Sequence, residues 1–367
     1  MLHVRVDVSH VARTRSASSV LIAHHRTHAH SDSAKGLFQL EMSGGREELP
    51  EEMLALLRSM GLASAAGSDE RALLPNGDPA RAPERVHALS ASAPGAEALA
   101  ALARDGVVRL DNVLSAALCG ACGLAICDAL RRQVAAGRDA YSTARDTPFG
   151  NVDEPGKRWD MYLDYNGTED TGAARTADGR ATADAVEAAA AAGRTYRSAL
   201  AALLGAPNAP LRELFDALFD GADAAFYELA ALVSDAGAES QRVHSDTVMQ
   251  PSCPLYTCFV ALQDTDIAMG CTHFIKGSHT SEAHRSLRHT RGDYLAAADY
   301  SAATLSRGDA VVMDSRLFHF GGANDARRRK LLYFTLRNPA FASAPGIGSK
   351  LDSLHLNLHD IGPPACA

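Results

Sequence analysis

The chain has 367 residues, 46% of them hydrophobic, and a formal net charge of −8. That is enough for one large folded domain with extensions, and the acidic balance offers no basic field for nucleic acid. No apolar run reaches the roughly 18 residues that cross a bilayer. The expected partner is therefore a small molecule, with no nucleic acid and no membrane span, and the oligomeric state is unknown at this level. Seven cysteines, an odd count without framework spacing, read as reduced thiols in an intracellular, cytoplasmic setting.

Residues 1–35 hold six His and four Arg but only Asp7 and Asp32 as acids. That composition fits an organelle-targeting leader or a disordered extension. An amphipathic helix is expected at 47–62, then an Ala/Ser/Gly/Pro linker at 63–94. Helices at 96–104 and 116–136 flank a strand at 107–110. The second helix carries Cys119, Cys122 and Cys127, which lack a second ligand pair and read as buried thiols rather than a zinc site. Residues 158–163 form a strand or lid, with Trp159 and Tyr162 either at a substrate entrance or in the core. The stretch 167–194 reads as a mobile insertion, and 211–232 as a helix with Leu211, Leu214, Phe215, Leu218 and Phe219 on one face.

The β signals follow. Residues 255–262 (LYTCFVAL), 310–313 (AVVM) and 330–336 (KLLYFTL) are short apolar runs separated by turn signals such as Gly308-Asp309. Repeated short strands with such turns suggest a sandwich or barrel. A tail at 343–367 carries His355 and His359 at helical spacing, better read as packing or surface residues than as ligands. The division expected is an extension and linker at 1–95, a catalytic domain at 96–342 with its β core at about 243–336, and the tail.

Within that β core lie His244-Ser245-Asp246 and, 73 positions on, His319. In an extended chain, residues i and i+2 point the same way, so His244 and Asp246 are expected on one side of a strand. Two imidazoles and one carboxylate occupy one face of an octahedral metal and leave the other open. That is the ligand set of non-heme Fe(II) oxygenases.

The surrounding motifs resemble the phytanoyl-CoA dioxygenase (PhyH) family of Fe(II)/2-oxoglutarate oxygenases. The likeness runs from about 100 to 340 and rests on the ordered set DGVVRLDNVL at 105–114, Gln241, His244-Ser245-Asp246, ALQD at 261–264, GCTHFIKGSH at 270–279, Gly308-Asp309, His319 and Asn324. Lys276 stands where the family has Pro. The resemblance implies a mainly β protein with flanking helices around a double-stranded β-helix (jelly-roll, cupin-like) core. It implies Fe(II) on His244, Asp246 and His319, with 2-oxoglutarate and O₂ consumed and succinate and CO₂ released. A basic residue near the start of the last strand is expected to hold the far carboxylate, and Arg suits that task because its planar fork binds carboxylate bidentately. Arg329 matches best; Arg327, Arg328 and Lys330 are the alternatives. Thr257 and Phe259 are expected at the co-substrate pocket, Phe259 equally as plain core, and His279 as a structural residue. Related halogenases lack the carboxylate, so Asp246 implies hydroxylation or desaturation rather than halogenation. Desaturation or cyclisation at the same metal, or a non-catalytic metal-binding jelly-roll module, are the other readings.

Overall fold

The computed structural model describes residues 3–5, 39–41, 86–136, 157–167, 182–341 and 356–363. The expected helix at 47–62, most of the linker, and His355 lie outside them. The chain forms two compact units, Met1–Ser68 with Ala344–Gly348 and Asp69–Ser343 with Ser349–Ala367. In the first, β1 (His3–Arg5) and β2 (Gln39–Glu41) pair in parallel.

The second unit is built on two sheets. Its strands are β3 (Val86–Ala88), β4 (Val107–Leu110), β5 (Arg158–Tyr162), β6 (Phe226–Ser234), β7 (Leu255–Ala261), β8 (Thr272–Phe274), β9 (Tyr300–Ala302), β10 (Ala310–Asp314), β11 (His319–Gly321) and β12 (Arg329–Arg337). The larger sheet has the order β4-β10-β7-β12-β6-β5 and is antiparallel throughout; the smaller has the order β11-β8-β9-β3. Helices α1 (Ala96–Asp105), α2 (Ala116–Ala135), α3 (Ala183–Leu204) and α4 (Arg212–Leu218) come before β6, with β4 and β5 among them, and α5 (Ser281–His289) and α6 (Arg291–Ala297) fall between β8 and β9.

Alternation along each strand decides which layer a residue joins. Cys258, Val260, Leu332, Phe334 and Val312 point to one side of the large sheet and share a core with Leu200, Leu203 and Phe215 of the first four helices. Phe334 touches Phe215 and Phe226 at ring-centroid distances of 5.9 and 5.7 Å. Ala261, Val311, Met313 and Leu331 point the other way, into the space between the sheets, and meet Phe274 and Leu305. The outer side of the small sheet is closed by Leu287 and Leu295 of α5 and α6 on Phe318 and Phe320. The result is a jelly-roll covered by helices on both sides.

Three expectations need correction. The helix expected at 211–232 stops at Leu218, and the following residues form β6, which is covered on both faces and so shows no polar alternation. The β core is not confined to 243–336, because β4, β5 and β6 complete the large sheet and β3 adds to the small one. The expected insertion at 167–194 contains the start of α3, capped by Thr182 and burying Tyr196, Leu200 and Leu203. Its Ala-rich composition suits that helix, since alanine is a strong helix former. Of the two positions left open for Trp159, the structure takes the core one, with the ring under the guanidinium of Arg328.

The turn at Gly308-Asp309 leads from β9 into β10 and packs on the segment that follows β4. Gly308 has φ +96°, and a Cβ there would meet the Leu114 carbonyl, so glycine is required. Asp309 is 2% exposed and accepts hydrogen bonds from the Asn112 and Ser306 amides and from Arg109 Nη2. Asp309→Ala leaves these donors without their acceptor. A loss of about 2–4 kcal/mol is expected from the urea midpoint at unchanged slope.

Candidate active site

The three ligand candidates reach one point from two segments of chain. His244 and His319 form a bridge in which each amide donates to the other's carbonyl, at 3.0 and 2.9 Å. The two rings lie 4.4 Å apart between centroids. Asp246 Oδ1 sits 3.5 Å from His319 Nε2 and 3.9 Å from His244 Nε2. One ligand atom from each residue lies within 4.8 Å of the others. Among the described residues this is the one such group of His, Cys, Asp or Glu. His244 and Asp246 do not share a continuous strand as expected: pairing lapses after the bridge residue His244, and Asp246 begins a bend. The bend turns the carboxylate back toward both imidazoles.

The tautomers follow from the hydrogen bonds. His244 Nδ1 lies 2.8 Å from the Arg242 carbonyl, and His319 Nδ1 lies 3.0 Å from that of Leu317. A carbonyl only accepts, so each Nδ1 carries the proton and each Nε2 presents its lone pair to the shared point. Burial holds the His319 imidazole below its ordinary pKa, with His244 adding to the effect and Asp246 opposing it. A neutral ring is the ligating form. The segment behind Asp246 is fixed by Thr247, whose amide donates to Ser315 and whose hydroxyl lies 2.8 Å from that of Ser315. Sequence reasoning passed over Thr247 and Ser315, which carry no motif of their own.

Several motif residues turn out to hold this geometry. Gln241 Oε1 accepts from the Gly321 amide at 2.8 Å, extending the His244–His319 bridge. Asn324 is fully buried and donates to the carbonyls of Ser234 and Arg327, at 2.9 and 2.8 Å, fixing the turn into β12. His279 Nε2 lies 3.2 Å from the Ala103 carbonyl and ties the glycine turn to α1, a structural position.

The space between the sheets is polar at two ends. At one end Arg329 and Arg158 both pair with Ser234 in register, so the three share a face. Arg329 is fully buried and donates from Nη1 to the Gly270 carbonyl, while its Nε and Nη2 have no partner. The Ser234 hydroxyl is likewise buried and unpaired. Burial, with Arg158 nearby, pulls the Arg329 pKa down to about 9. Arg329 also lines a cavity of about 10 Å³, room for about one water, together with Phe259, Thr265, Thr272, Phe274 and Leu331. Phe274 reaches the ring of His319, at 6.1 Å. Thr257 lies on the same strand face as Phe259, but its hydroxyl is 3.0 Å from that of Thr335, away from Arg329.

At the other end Tyr333 donates to Asp160 at 2.6 Å and Thr335 to Glu228 at 2.8 Å. Burial, then the nearby carboxylates of Asp160 and Asp246, push Glu228 up to about 8. Glu228 escapes sequence reasoning because β6 lies within the helix expected at 211–232.

Two histidines and an aspartate converging inside a jelly-roll define a mononuclear non-heme metal site with room for exogenous ligands. The family model for phytanoyl-CoA dioxygenase (PhyH) matches residues 102–330. The chain belongs to that family of Fe(II)/2-oxoglutarate-dependent oxygenases. Its cofactors are Fe(II), with 2-oxoglutarate and O₂ as co-substrates, and the convergent triad suits them. Among solved structures, the chain is similar to AviO1 from Streptomyces viridochromogenes Tue57, at 19% identity and TM-score 0.47 over 70% of this chain and 100% of that one. It is similar to SnoK, a non-heme alpha-ketoglutarate-dependent carbocyclase from nogalamycin biosynthesis, at 17% identity and TM-score 0.45 over 66% and 84%. The epimerase SnoN of the same biosynthesis matches at 17% identity and TM-score 0.45 over 74% and 92%. No curated protein matches the chain. No helix among the described residues is long and apolar enough to cross a membrane.

Two outcomes follow from this geometry. Thr247→Val removes the hydroxyl contact behind Asp246 without touching a ligand, and Fe(II) affinity measured anaerobically should fall roughly tenfold. Asp246→Ala should lower it further. For Glu228 the folded pKa lies above the ordinary carboxylate value, so its contribution to stability is fullest below about pH 4.5 and declines as pH rises toward 8. Metal-free Glu228→Gln should therefore melt higher than the parent at pH 7.5, with the difference closing toward pH 4.

Proposed function

We propose that this oxygenase hydroxylates a small-molecule metabolite, using the domain at 96–342 and the residues that follow. His244, Asp246 and His319 are assigned as the metal ligands. Bound Fe(II), with 2-oxoglutarate and O₂, supplies the oxidising chemistry and yields succinate and CO₂. The chain's own task is to hold, orient and enclose. The backbone bridge sets the two imidazoles, and Thr247 with Ser315 sets the carboxylate. The far carboxylate of 2-oxoglutarate is assigned to Arg329, with Ser234 beside it and Phe259 as an apolar wall. Thr257 is assigned to the co-substrate pocket only indirectly, through its bond to Thr335.

The observation that carries the co-substrate assignment is the open edge of Arg329. A fully buried guanidinium with Nε and Nη2 unpaired is costly. A carboxylate offers the matching bidentate acceptor and returns the charge to balance. The other basic residues of the run are placed differently: Arg328 pairs with Asp235 at 2.5 Å, and Arg327 and Lys330 lie on the outer side. The carboxylate of Asp246 keeps the position that an added anion would need, which supports hydroxylation or desaturation over halogenation.

Anaerobic addition of Fe(II) and 2-oxoglutarate should give the weak visible charge-transfer band of the chelate. Arg329→Gln should raise the 2-oxoglutarate concentration for half-saturation by on the order of 100-fold, as expected for a lost charge-assisted bidentate pair. An unchanged half-saturation would sink the Arg329 assignment. With a turned-over substrate, a product that gains one oxygen atom supports hydroxylation. A product that loses two hydrogens shows desaturation or cyclisation instead, and absence of both band and succinate supports a non-catalytic module.

A further inference from the structure

The basic run at 327–330 divides between the two sides of β12. Arg329 faces inward, while Lys330 alternates to the helix side. There Lys330 joins Arg327 and Arg307 around a groove of about 520 Å³ between α2 and the loops that follow β7 and precede β10. This is the size of a small-molecule site. The helix wall contributes Gly120 and Gly123. A side chain on Gly120 would enter open space, and one on Gly123 would lie 3.5 Å from Lys330 Nζ. Small residues thus keep the groove open and let the ammonium rest against the helix.

Its charge is out of balance. Arg104, Arg109, Arg131, Arg194, Arg212, Arg316 and Arg328 each pair with a carboxylate. Arg307, Arg327 and Lys330 have no ion-pair partner among the described residues, in a chain of net charge −8. One carboxylate lines the groove, Asp264, and its Oδ1 accepts the Arg307 amide at 2.9 Å, which fixes the loop. Three cations against one anion leave an excess of about two positive charges. A phosphate monoester carries about −1.5 to −2 near neutral pH, whereas a single carboxylate leaves one cation unmatched. Leu262 and the exposed Leu124 add apolar wall for the rest of such a ligand.

We propose that this groove is a second binding site, on the opposite side of the large sheet from the metal centre, for a phosphate-bearing small molecule held by Arg307, Arg327 and Lys330. The site is separate from the co-substrate pocket and does not depend on it. Its contact with β12 places it one residue from Arg329, on the other face of the same strand.

Calorimetric titration of the metal-free full chain at low salt tests it, with phenyl phosphate as probe and benzoate as its carboxylate counterpart. Saturable binding of phenyl phosphate is expected, with benzoate weaker by about tenfold or more. Arg307→Ala with Arg327→Ala should abolish that preference, and Lys330→Gln should weaken phenyl phosphate by about tenfold. Arg307 and Arg327 are exposed, so their variants should keep the parent melting temperature. Arg329→Gln should leave phenyl phosphate binding intact even if it removes 2-oxoglutarate binding. The proposal is overturned by no saturation with phenyl phosphate, by equal binding of the two probes, or by binding that survives in the double variant. Loss of binding in Arg329→Gln alone would also overturn it, by placing the probe in the inner cavity.

Discussion

The pair of backbone hydrogen bonds between His244 and His319 is the constraint on which the metal site rests. It is an isolated antiparallel bridge between the first residue of β11 and a residue outside the named strands, and it fixes the separation of two side chains 75 positions apart in sequence. Because the constraint is in the backbone, neither imidazole needs the metal to hold its place. Each ring then has one remaining freedom, rotation about its own side-chain bonds, and the bond from Nδ1 to a carbonyl two residues earlier removes it. Asp246 is set by a different device, the link from Thr247 to Ser315. Both segments are therefore tied to the short stretch that leads from β10 to β11.

That stretch is stiffened by a buried ion pair. Asp314 accepts from the Arg316 amide and from its guanidinium, and Arg316 reaches on to the Gln250 carbonyl at 2.8 Å. Both residues are nearly inaccessible, so loss of either would strand a charge. The geometry of the site is thus supported from below by charge pairing and from the side by backbone pairing. Such rigid support is what a centre requires when its chemistry belongs to the bound ion and its co-substrate.

The interior face of the large sheet has a sense of direction. Arginines and Ser234 line one end, and Asp160, Glu228 and the hydroxyls of Tyr333 and Thr335 the other. Strand alternation makes this possible, because every second residue of β5, β6 and β12 can be polar while its neighbours stay in the helix-side core. Glu228 is held toward its neutral form at one end, and at the other Arg329 is held below the ordinary arginine range with open donors. The two ends of this face thus differ in charge, with open cationic donors at one and carboxylates at the other. The same alternation sends Lys330 outward, so one strand serves both faces.

Much was legible in the sequence because the motifs carry local physics. Gly308 needs a positive φ, Asp309 has three donors to satisfy, and Asn324 pins a turn; each leaves a fixed residue type at a fixed spacing. The ligand types His244, Asp246 and His319, the short apolar strands and the basic run at 327–330 were readable for the same reason. The sequence alone could not place β6, since a strand buried on both faces has no alternation to distinguish it from a helix. Nor could it show that Asp246 lies in a bend, that Arg329 rather than its neighbours turns inward unpaired, or that Asp160 and Glu228 meet the hydroxyls of Tyr333 and Thr335. Those facts depend on contacts between residues far apart in the chain, and register across β5, β6 and β12 exists only once the sheet has formed.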